Sequence, residues 1–177
     1  NPSLSSSSPA DNATAVATNS NIVLNFSEAV DVETGNIIIY KSSDDSVVET
    51  IDVTSGQVTG TGSTQITINP SSDLAEQTEY YVQIAATAFD DSSSNSYAGI
   101  SDKTSLSFAT ADETSPTITG PSGSEAGAST STVSINENAT AVNTFEANET
   151  VTWSLNGGAD ASLFSINSSS GALSFSS

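Results

Sequence analysis

The sequence predicts an all-β protein built from two small antiparallel β-sandwiches in series, the second of them incomplete. Short apolar–polar alternations recur about every 8 to 15 residues, turn-forming residues separate them, and no stretch has a convincing helical period. A length of 177 residues suits one or two small all-β modules. The hydrophobic content of 35% is low for a globular domain and fits thin sandwiches, in which each strand buries one face.

The first predicted module covers residues 1–111 and carries about seven strand patterns. In the segment Ile22–Phe26, the apolar residues Ile22, Leu24 and Phe26 point to one face of a strand. The other strand patterns are a short one near Ala15–Ala17, Asn36–Tyr40, Val47–Val53, Gln65–Asn69, Glu79–Ile84 and Ser105–Ala109. Polar or glycine-rich segments separate these patterns, as expected for the turns of a sandwich.

Residues 112–131 are predicted to be a linker, because acidic residues and Pro116 precede the turn-forming run Gly120–Gly123. A second module, residues 132–177, follows. Its apolar alternations are Val133 with Ile135, Val142 with Phe145, Val151 with Trp153 and Leu155, and a hairpin of Phe164–Ile166 with Leu173–Phe175. Four or five strands leave an open edge and an uncovered apolar face. We therefore expect this module to be truncated, or to be completed by another chain.

The charge of the chain excludes whole classes of partner. The formal net charge is −19, and Lys41 and Lys103 are the only cationic side chains. Nucleic acids and anionic membrane surfaces would be repelled by such a chain. No run approaches the roughly 20 apolar residues of a membrane-spanning helix, so we expect no membrane insertion. No signal peptide is recognisable at the start, and we expect the sequence to begin inside a longer chain.

The residue types that are missing argue against an enzyme. The sequence has no His and no Cys, which excludes Ser-His-Asp and Cys-His catalysis within the chain. The adjacent acid pairs Asp44–Asp45 and Asp90–Asp91 are predicted on loop tips, where neighbouring side chains point apart instead of facing each other across a cleft. No catalytic residue is predicted. Trp153 shares a predicted face with Val151 and Leu155, which favours a place in the core over a sugar-stacking platform.

The first module resembles a known family over residues 3 to 110. Its marks are the segments Ser8–Ala13, Asn21–Val30, Gly35–Ile37, Leu74 with Thr78–Val82, Tyr97–Ile100 and Phe108–Thr110. In this order they resemble SwmB-type bacterial Ig-like domains, a family named after a cyanobacterial swimming protein. The resemblance implies a seven-stranded Ig-like sandwich with Phe26 and Phe108 in its core and the tyrosine pair Tyr80–Tyr81 beside them.

The second module resembles the N-terminal part of a bacterial cadherin-like domain. The segments that carry this resemblance are Val133–Asn138, Val151–Leu155, and Leu163–Asn167 leading to Ser170–Leu173. In such domains the first motif supplies a calcium-binding glutamate, which would be Glu137 here. The later acidic motifs of the family are absent. Both families usually occur in tandem within very large exported bacterial proteins, so the resemblance implies an extracellular or cell-surface location.

Calcium is the one cofactor that the sequence suggests. The loop Phe89–Asn95 holds Asp90, Asp91 and Asn95, whose oxygens are of the type that calcium binds; the alternative is a solvated turn stabilised by side-chain bonds to the backbone. Asp112 and Glu113 precede the second module, and Glu137 could approach that junction from the other side. The alternative for this junction is an acidic, flexible linker. The predicted metal ligands are therefore Asp90, Asp91, Asn95, Asp112, Glu113 and Glu137.

Three functions remain open at this point. The first is a structural spacer in a large secreted or cell-surface protein of adhesin or surface-layer type, stiffened by calcium, whose partners are the neighbouring domains of the same chain. The second is an adhesin module that binds a surface glycan or a protein. The third is a filament subunit in which a strand from another copy completes the second module.

Overall fold

Residues 1–120, 127 and 130–176 are described in a computed structural model of the chain, and they contain β-strands, turns and one short 3-10 turn but no α-helix. This confirms the predicted all-β fold class. The chain divides into two compact units, Asn1–Glu113 and Thr114–Ser177. Residues 121–126, 128 and 129 of the predicted linker lie outside the described residues. The predicted domain limits, 1–111 and 132–177, stay predictions.

The first unit consists of two β-sheets that share one core. Its strands are β1 (Leu4–Ser8), β2 (Ala13–Val16), β3 (Ile22–Val32), β4 (Asn36–Lys41), β5 (Val47–Asp52), β6 (Val58–Thr59), β7 (Ser63–Ile68), β8 (Glu79–Ile84), β9 (Phe89–Asp90) and β10 (Ser107–Thr110). One sheet has the order β1-β3-β7-β6, with β9 paired to β3, and the other has the order β2-β10-β8-β4-β5. The pairs are antiparallel except for β2 with β10, which run parallel.

The alternation predicted for β3 places three side chains in the core. Ile22, Leu24 and Phe26 are exposed by only 1%, 0% and 5%. They meet apolar side chains from the opposite sheet, among them Ile37, Ile39, Tyr80, Val82 and Phe108. Since burying one such side chain stabilises the fold by about 1.5–3 kcal/mol, this core is the main source of stability for the first unit.

The aromatic residues of the family resemblance come from both sheets, and the tyrosine pair occupies both faces of the second. Phe26 and Phe108 are buried, and the ring of Tyr80 packs 5.9 Å from that of Phe108. Tyr81, the next residue on β8, points to the other face and stacks on Tyr40 at 4.8 Å. Successive residues of a strand point to opposite faces, so only one tyrosine of the pair can enter the core.

Three strands of the first unit have no strand pattern in the sequence. Strand β1 contains a single apolar residue, Leu4, and is held by pairing with β3, from Leu4 opposite Phe26 to Ser8 opposite Val23. Strands β6 and β9 have two residues each. Backbone pairing does not require an apolar alternation, so strands of this kind leave no period-2 signal.

The second unit contains short strands in two small sheets. They are β11 (Ile118–Thr119), β12 (Ala141–Thr144), β13 (Glu146–Ala147), β14 (Phe164–Ile166) and β15 (Ala172–Phe175), with a 3-10 turn at Ala161–Leu163. Strand β11 pairs with β13, and the other sheet has the order β12-β15-β14. The predicted hairpin is confirmed: Phe164 lies opposite Phe175, and Ile166 lies opposite Leu173.

Two strands predicted in the second unit are not formed. The segments around Val133–Ile135 and Val151–Leu155 have no strand structure. Their side chains are poorly covered, with Val133 exposed by 45%, Ile135 by 39% and Leu155 by 41%. A β-branched pattern becomes a strand only where partners pair and pack with it, and no described residue pairs as a strand with these two segments.

Trp153 is half-buried and does not lie in a closed core. Its ring packs 6.0 Å from that of Phe145 and over Gly171. Gly171 has a φ of +70°, and a Cβ there would lie 2.9 Å from Trp153 Cε2 and 2.7 Å from the carbonyl oxygen of Phe145. Only glycine satisfies both the backbone conformation and the close approach. Among the described residues of the second unit, Gly171 alone is buried.

Candidate functional site

The predicted calcium loop closes on its own side chains. Asp91 Oδ1 accepts hydrogen bonds from the backbone N–H groups of Ser93 and Asn95, both at 2.9 Å. The Asn95 side-chain amide donates to the same carboxylate, at 2.8 Å to Oδ2. These bonds, the Asn95 backbone N–H foremost, lower the pKa of Asp91. Asp90 lies in β9, opposite Asp31 of β3.

The other predicted ligands lie in different units. Glu113 belongs to the first unit, where its carboxylate accepts bonds from the backbone N–H of Thr18 at 3.0 Å and from the Thr18 hydroxyl at 2.7 Å. The Thr18 hydroxyl is the main cause of the lowered pKa of Glu113. Asp112 is exposed beside it, and Glu137 is exposed in a turn of the second unit. Within residues 1–120, 127 and 130–176, no three acidic side chains form a group that could hold a metal ion.

The parallel pair of β2 and β10 joins the beginning of the first unit to its end. Ala13 lies opposite Phe108, and Val16 lies opposite Thr110. Flanking bonds extend the pairing: Asn12 N–H donates to the Ser107 carbonyl at 2.8 Å, and Ala111 N–H donates to the Val16 carbonyl at 2.7 Å. We call this arrangement, residues 11–18 with residues 107–113, the terminal clamp.

A carboxylate closes the terminal clamp at each end. At one end, Asp11 Oδ1 accepts from the Ser107 backbone N–H at 2.9 Å and from its hydroxyl at 3.0 Å. At the other end, Glu113 binds Thr18 as described above. Hydrogen bonds to ionised acceptors are stronger than neutral ones. The clamp is therefore a ladder of backbone bonds with a carboxylate at either end. We call each of these two carboxylates, with the hydrogen bonds that it accepts, a lock.

The comparison with protein families now identifies the first unit. The profile of a family described as "Bacterial Ig-like domain" matches residues 1–110. The chain belongs to the bacterial Ig-like domain family. The matched region includes nearly all of the terminal clamp and stops three residues before Glu113, so the lock at Glu113 lies just beyond the family's extent.

A comparison with solved structures finds a partial match. The Ig-like chain resembles the crystal structure of the S-layer protein rSbsC(31-844), with 15% sequence identity and a TM-score of 0.42. The match covers 67% of this chain and 15% of that chain. Among curated protein sequences, none matches.

Sequence reasoning missed the terminal clamp of the Ig-like domain. It predicted strands near Ala15–Ala17 and over Ser105–Ala109, but it gave no reason to pair them. The pairing leaves no local signal, because β2 and β10 lie some 90 residues apart in the chain and only the topology of the fold brings them together.

The outer face of the second sheet does not offer an open aromatic platform. Tyr81 is 3% exposed, because Tyr40 stacks on it and Lys103 Nζ lies 5.6 Å from its ring centre. Asp45 binds the same lysine through both carboxylate oxygens, at 2.5 and 2.6 Å, and accepts from the Tyr81 hydroxyl at 3.1 Å. This cluster covers the ring that a sugar would have to contact.

In the described part of the chain, no helix has the length and hydropathy needed to cross a membrane.

A carboxylate also caps the turn that leads into β10, and it gives a pH-dependent prediction. Asp102 accepts four bonds from the backbone and hydroxyl groups of Thr104 and Ser105 at 2.7–2.9 Å. These bonds, the Ser105 hydroxyl foremost, lower the pKa of Asp102 to about 2. A folded pKa below the unfolded value of about 3.9 adds stability above pH 4 that is lost as the pH falls towards 2.

We therefore expect Asp102→Ala to lower the melting temperature most at pH 6 and progressively less between about pH 4 and pH 2. Thermal unfolding of both proteins across this pH range measures the difference. Asp73→Ala, which removes an exposed acid that makes no hydrogen bond in the described structure, controls for the changed net charge. A difference for Asp102→Ala that is the same at pH 2 and pH 6 would contradict the assigned role.

Proposed function

We propose that this chain is a structural spacer segment of a large secreted or cell-surface bacterial protein of adhesin or surface-layer type, and that its Ig-like unit resists tension through the terminal clamp. The observation that carries this proposal is the parallel pairing of β2 and β10. Membership of the bacterial Ig-like family supports an extracellular role. We expect no catalytic activity, since the chain has neither His nor Cys.

Parallel pairing fixes how a pulling force acts on the clamp. Tension enters β2 from its N-terminal end and β10 from its C-terminal end. In parallel strands these ends lie at opposite ends of the pair, so tension slides one strand along the other. All bonds of the ladder are then loaded together. If the force entered both strands at the same end, the bonds would break one after another.

The test compares these two directions of pulling in the same chain. The sequence has no Cys, so introduced cysteines are unique attachment points. Handles at Ala10→Cys and Ser115→Cys pull the clamp along its strands, whereas handles at Ala10→Cys and Ser101→Cys peel it from one end. We expect a higher unfolding force in the first geometry. An equal or lower force in the first geometry would refute the tension-resisting role.

Calcium binding is part of the proposal as a means of stiffening the array. Its support is the high negative charge together with the exposed carboxylates of Asp112 and Glu137. At Asp90, Asp91 and Asn95, an ion would have to replace the Asn95 amide at the Asp91 carboxylate, and at Glu113 it would compete with Thr18. Glu137 is exposed and makes no hydrogen bond in the described residues, so it is the better candidate.

We expect calcium, titrated against a chelator, to raise the melting temperature of the chain in a saturable way, and magnesium to do so less. Binding to the folded state adds about 2.7 kcal/mol when calcium reaches 100 times its dissociation constant. Glu137→Gln should reduce the shift, and Asp90→Asn, which also removes one negative charge, should leave it. No calcium-dependent shift would remove calcium from the proposed function.

One observation favours a second candidate function, a subunit of an extracellular filament. The second unit leaves large apolar side chains exposed by 39% to 56%, and its sheet has β12 and β14 as edge strands. These side chains are Ile118, Val133, Ile135, Leu155, Leu163 and Phe175. A strand from another copy would complete the sheet of this unit. Light scattering at rising concentration tests it: assembly supports the filament, and a monomer throughout supports the spacer alone.

A further inference from the structure

We propose that the Asn156–Gly157 peptide is a site of spontaneous modification, at which water converts the asparagine to a mixture of aspartate and isoaspartate. Asn156 is the only asparagine in the sequence that is followed by glycine. Glycine has no Cβ, so its backbone nitrogen can approach the preceding side chain without a steric barrier. No partner or enzyme is required.

The reaction uses atoms of this peptide and one water molecule. The backbone nitrogen of Gly157 attacks the side-chain carbonyl carbon of Asn156, and a new C–N bond closes a five-membered succinimide. The amide nitrogen leaves as ammonia, taking up the proton that the Gly157 nitrogen loses. Water then opens the ring at either carbonyl. One opening restores the backbone with aspartate at position 156, and the other leaves isoaspartate with one additional methylene in the main chain.

The structure leaves this peptide unconstrained. Asn156, Gly157 and Gly158 are exposed and belong to no strand. Within the described residues, neither the Asn156 side chain nor the Gly157 N–H makes a hydrogen bond. A Cβ built on Gly157 or Gly158 would meet no atom within 4 Å. The backbone can therefore rotate into the reactive geometry without first breaking a native contact.

The three asparagines that precede serine are the natural comparison, and each is held. The Asn95 amide donates to the Asp91 carboxylate. Asn167 Oδ1 accepts from the backbone N–H groups of Ser169 at 3.0 Å and Ser170 at 2.9 Å. After Asn19, the attacking N–H of Ser20 is bonded to the Ala17 carbonyl at 3.1 Å. These sites must open before they can react, so the fold directs the chemistry to Asn156.

The modification adds one negative charge to the formal net charge of −19. The altered backbone lies outside the hairpin of β14 and β15, so the ladder from Phe164–Phe175 to Ile166–Leu173 does not depend on it. We therefore expect the modified chain to keep its fold while its charge changes with age.

The test follows Asn156 and Asn167 together. The 177-residue chain is incubated near neutral pH at about 37 °C, folded or in urea, and cleavage after Glu149 releases residues 150–177 with both asparagines. Fragment masses locate the small gain in mass that accompanies loss of ammonia and uptake of water. An isoaspartyl methyltransferase assay detects the isomer.

We expect Asn156 to react at the same rate in the folded and the unfolded chain, within about twofold, and Asn167 to react faster only on unfolding. Asn156→Gln should abolish the early mass gain and leave the fold intact. No gain at Asn156, or a rate that rises more than about tenfold in urea, would overturn the proposal, because either result means that the peptide is protected.

Discussion

Phe26→Ala is expected to lower the free energy of unfolding of the Ig-like unit by about 3–5 kcal/mol, the usual loss for a buried phenylalanine. The Phe26 ring is 5% exposed and lies 5.4 Å from the ring of Phe89 and 5.2 Å from that of Tyr97. Its removal leaves a cavity where β3, β9 and the segment before Ile100 meet. The loss is a large part of the stability of a typical domain.

The distribution of aromatic residues makes the measurement specific to one unit. All four tyrosines, Tyr40, Tyr80, Tyr81 and Tyr97, lie in the first unit, and the single tryptophan lies in the second. The tyrosine signal in near-ultraviolet circular dichroism during urea unfolding therefore reports on the Ig-like unit. Phe175→Ala removes a 39% exposed phenylalanine of the second unit and should leave this transition unchanged. A loss below about 1 kcal/mol for Phe26→Ala would contradict the assigned core.

The difference between β3 and β1 explains how much of the fold the sequence could predict. In β3, alternate residues enter the core, so the apolar period of the sequence predicts the strand directly. Strand β1 is nearly all serine, and its place depends on backbone bonds to a strand that lies some 20 residues later. Local pattern predicts the first kind of strand, and only knowledge of the fold's topology predicts the second.

In the second unit, prediction from the apolar pattern fails in the opposite way, because it predicts strands that do not form. Val133, Ile135 and Leu155 follow the alternation of strands, yet they lie exposed in segments without strand structure. The hairpin of β14 and β15 forms because its two strands are local partners joined by a tight turn. A strand whose partner is absent has nothing to pair with, and its apolar pattern then predicts a structure that the described residues do not adopt.

The candidate site was harder to predict than the fold. The sequence identified Asp91 and Glu113 as possible metal ligands, but it did not identify their hydrogen-bond partners. Asp91 is bound by Asn95, four residues later, and Glu113 is bound by Thr18, 95 residues earlier in the chain. Residue type indicates what a carboxylate can bind. The fold decides whether that capacity is already used by a backbone N–H or a hydroxyl.

The two carboxylate locks of the terminal clamp should differ in how they respond to the direction of pulling. Asp11 and Glu113 lock opposite ends of the β2–β10 pair. When the handles are at positions 10 and 115, all bonds are loaded together, so Asp11→Ala and Glu113→Ala should each lower the unfolding force. With handles at positions 10 and 101, the first bonds to break set the force, and Asp11 holds that end. Asp11→Ala should then lower the force, and Glu113→Ala should leave it unchanged.

This pattern separates a directional clamp from a general loss of stability. Asp11→Ala leaves the N–H of Ser107, a residue only 7% exposed, without its acceptor, which costs about 1–3 kcal/mol at equilibrium. A simple loss of stability would lower the force in both pulling directions for both variants. Glu33→Ala, which removes an exposed acid outside the clamp, should change neither direction. If Glu113→Ala weakens the peeled geometry as much as the sheared one, the lock at Glu113 stabilises the fold but does not resist tension along the strands.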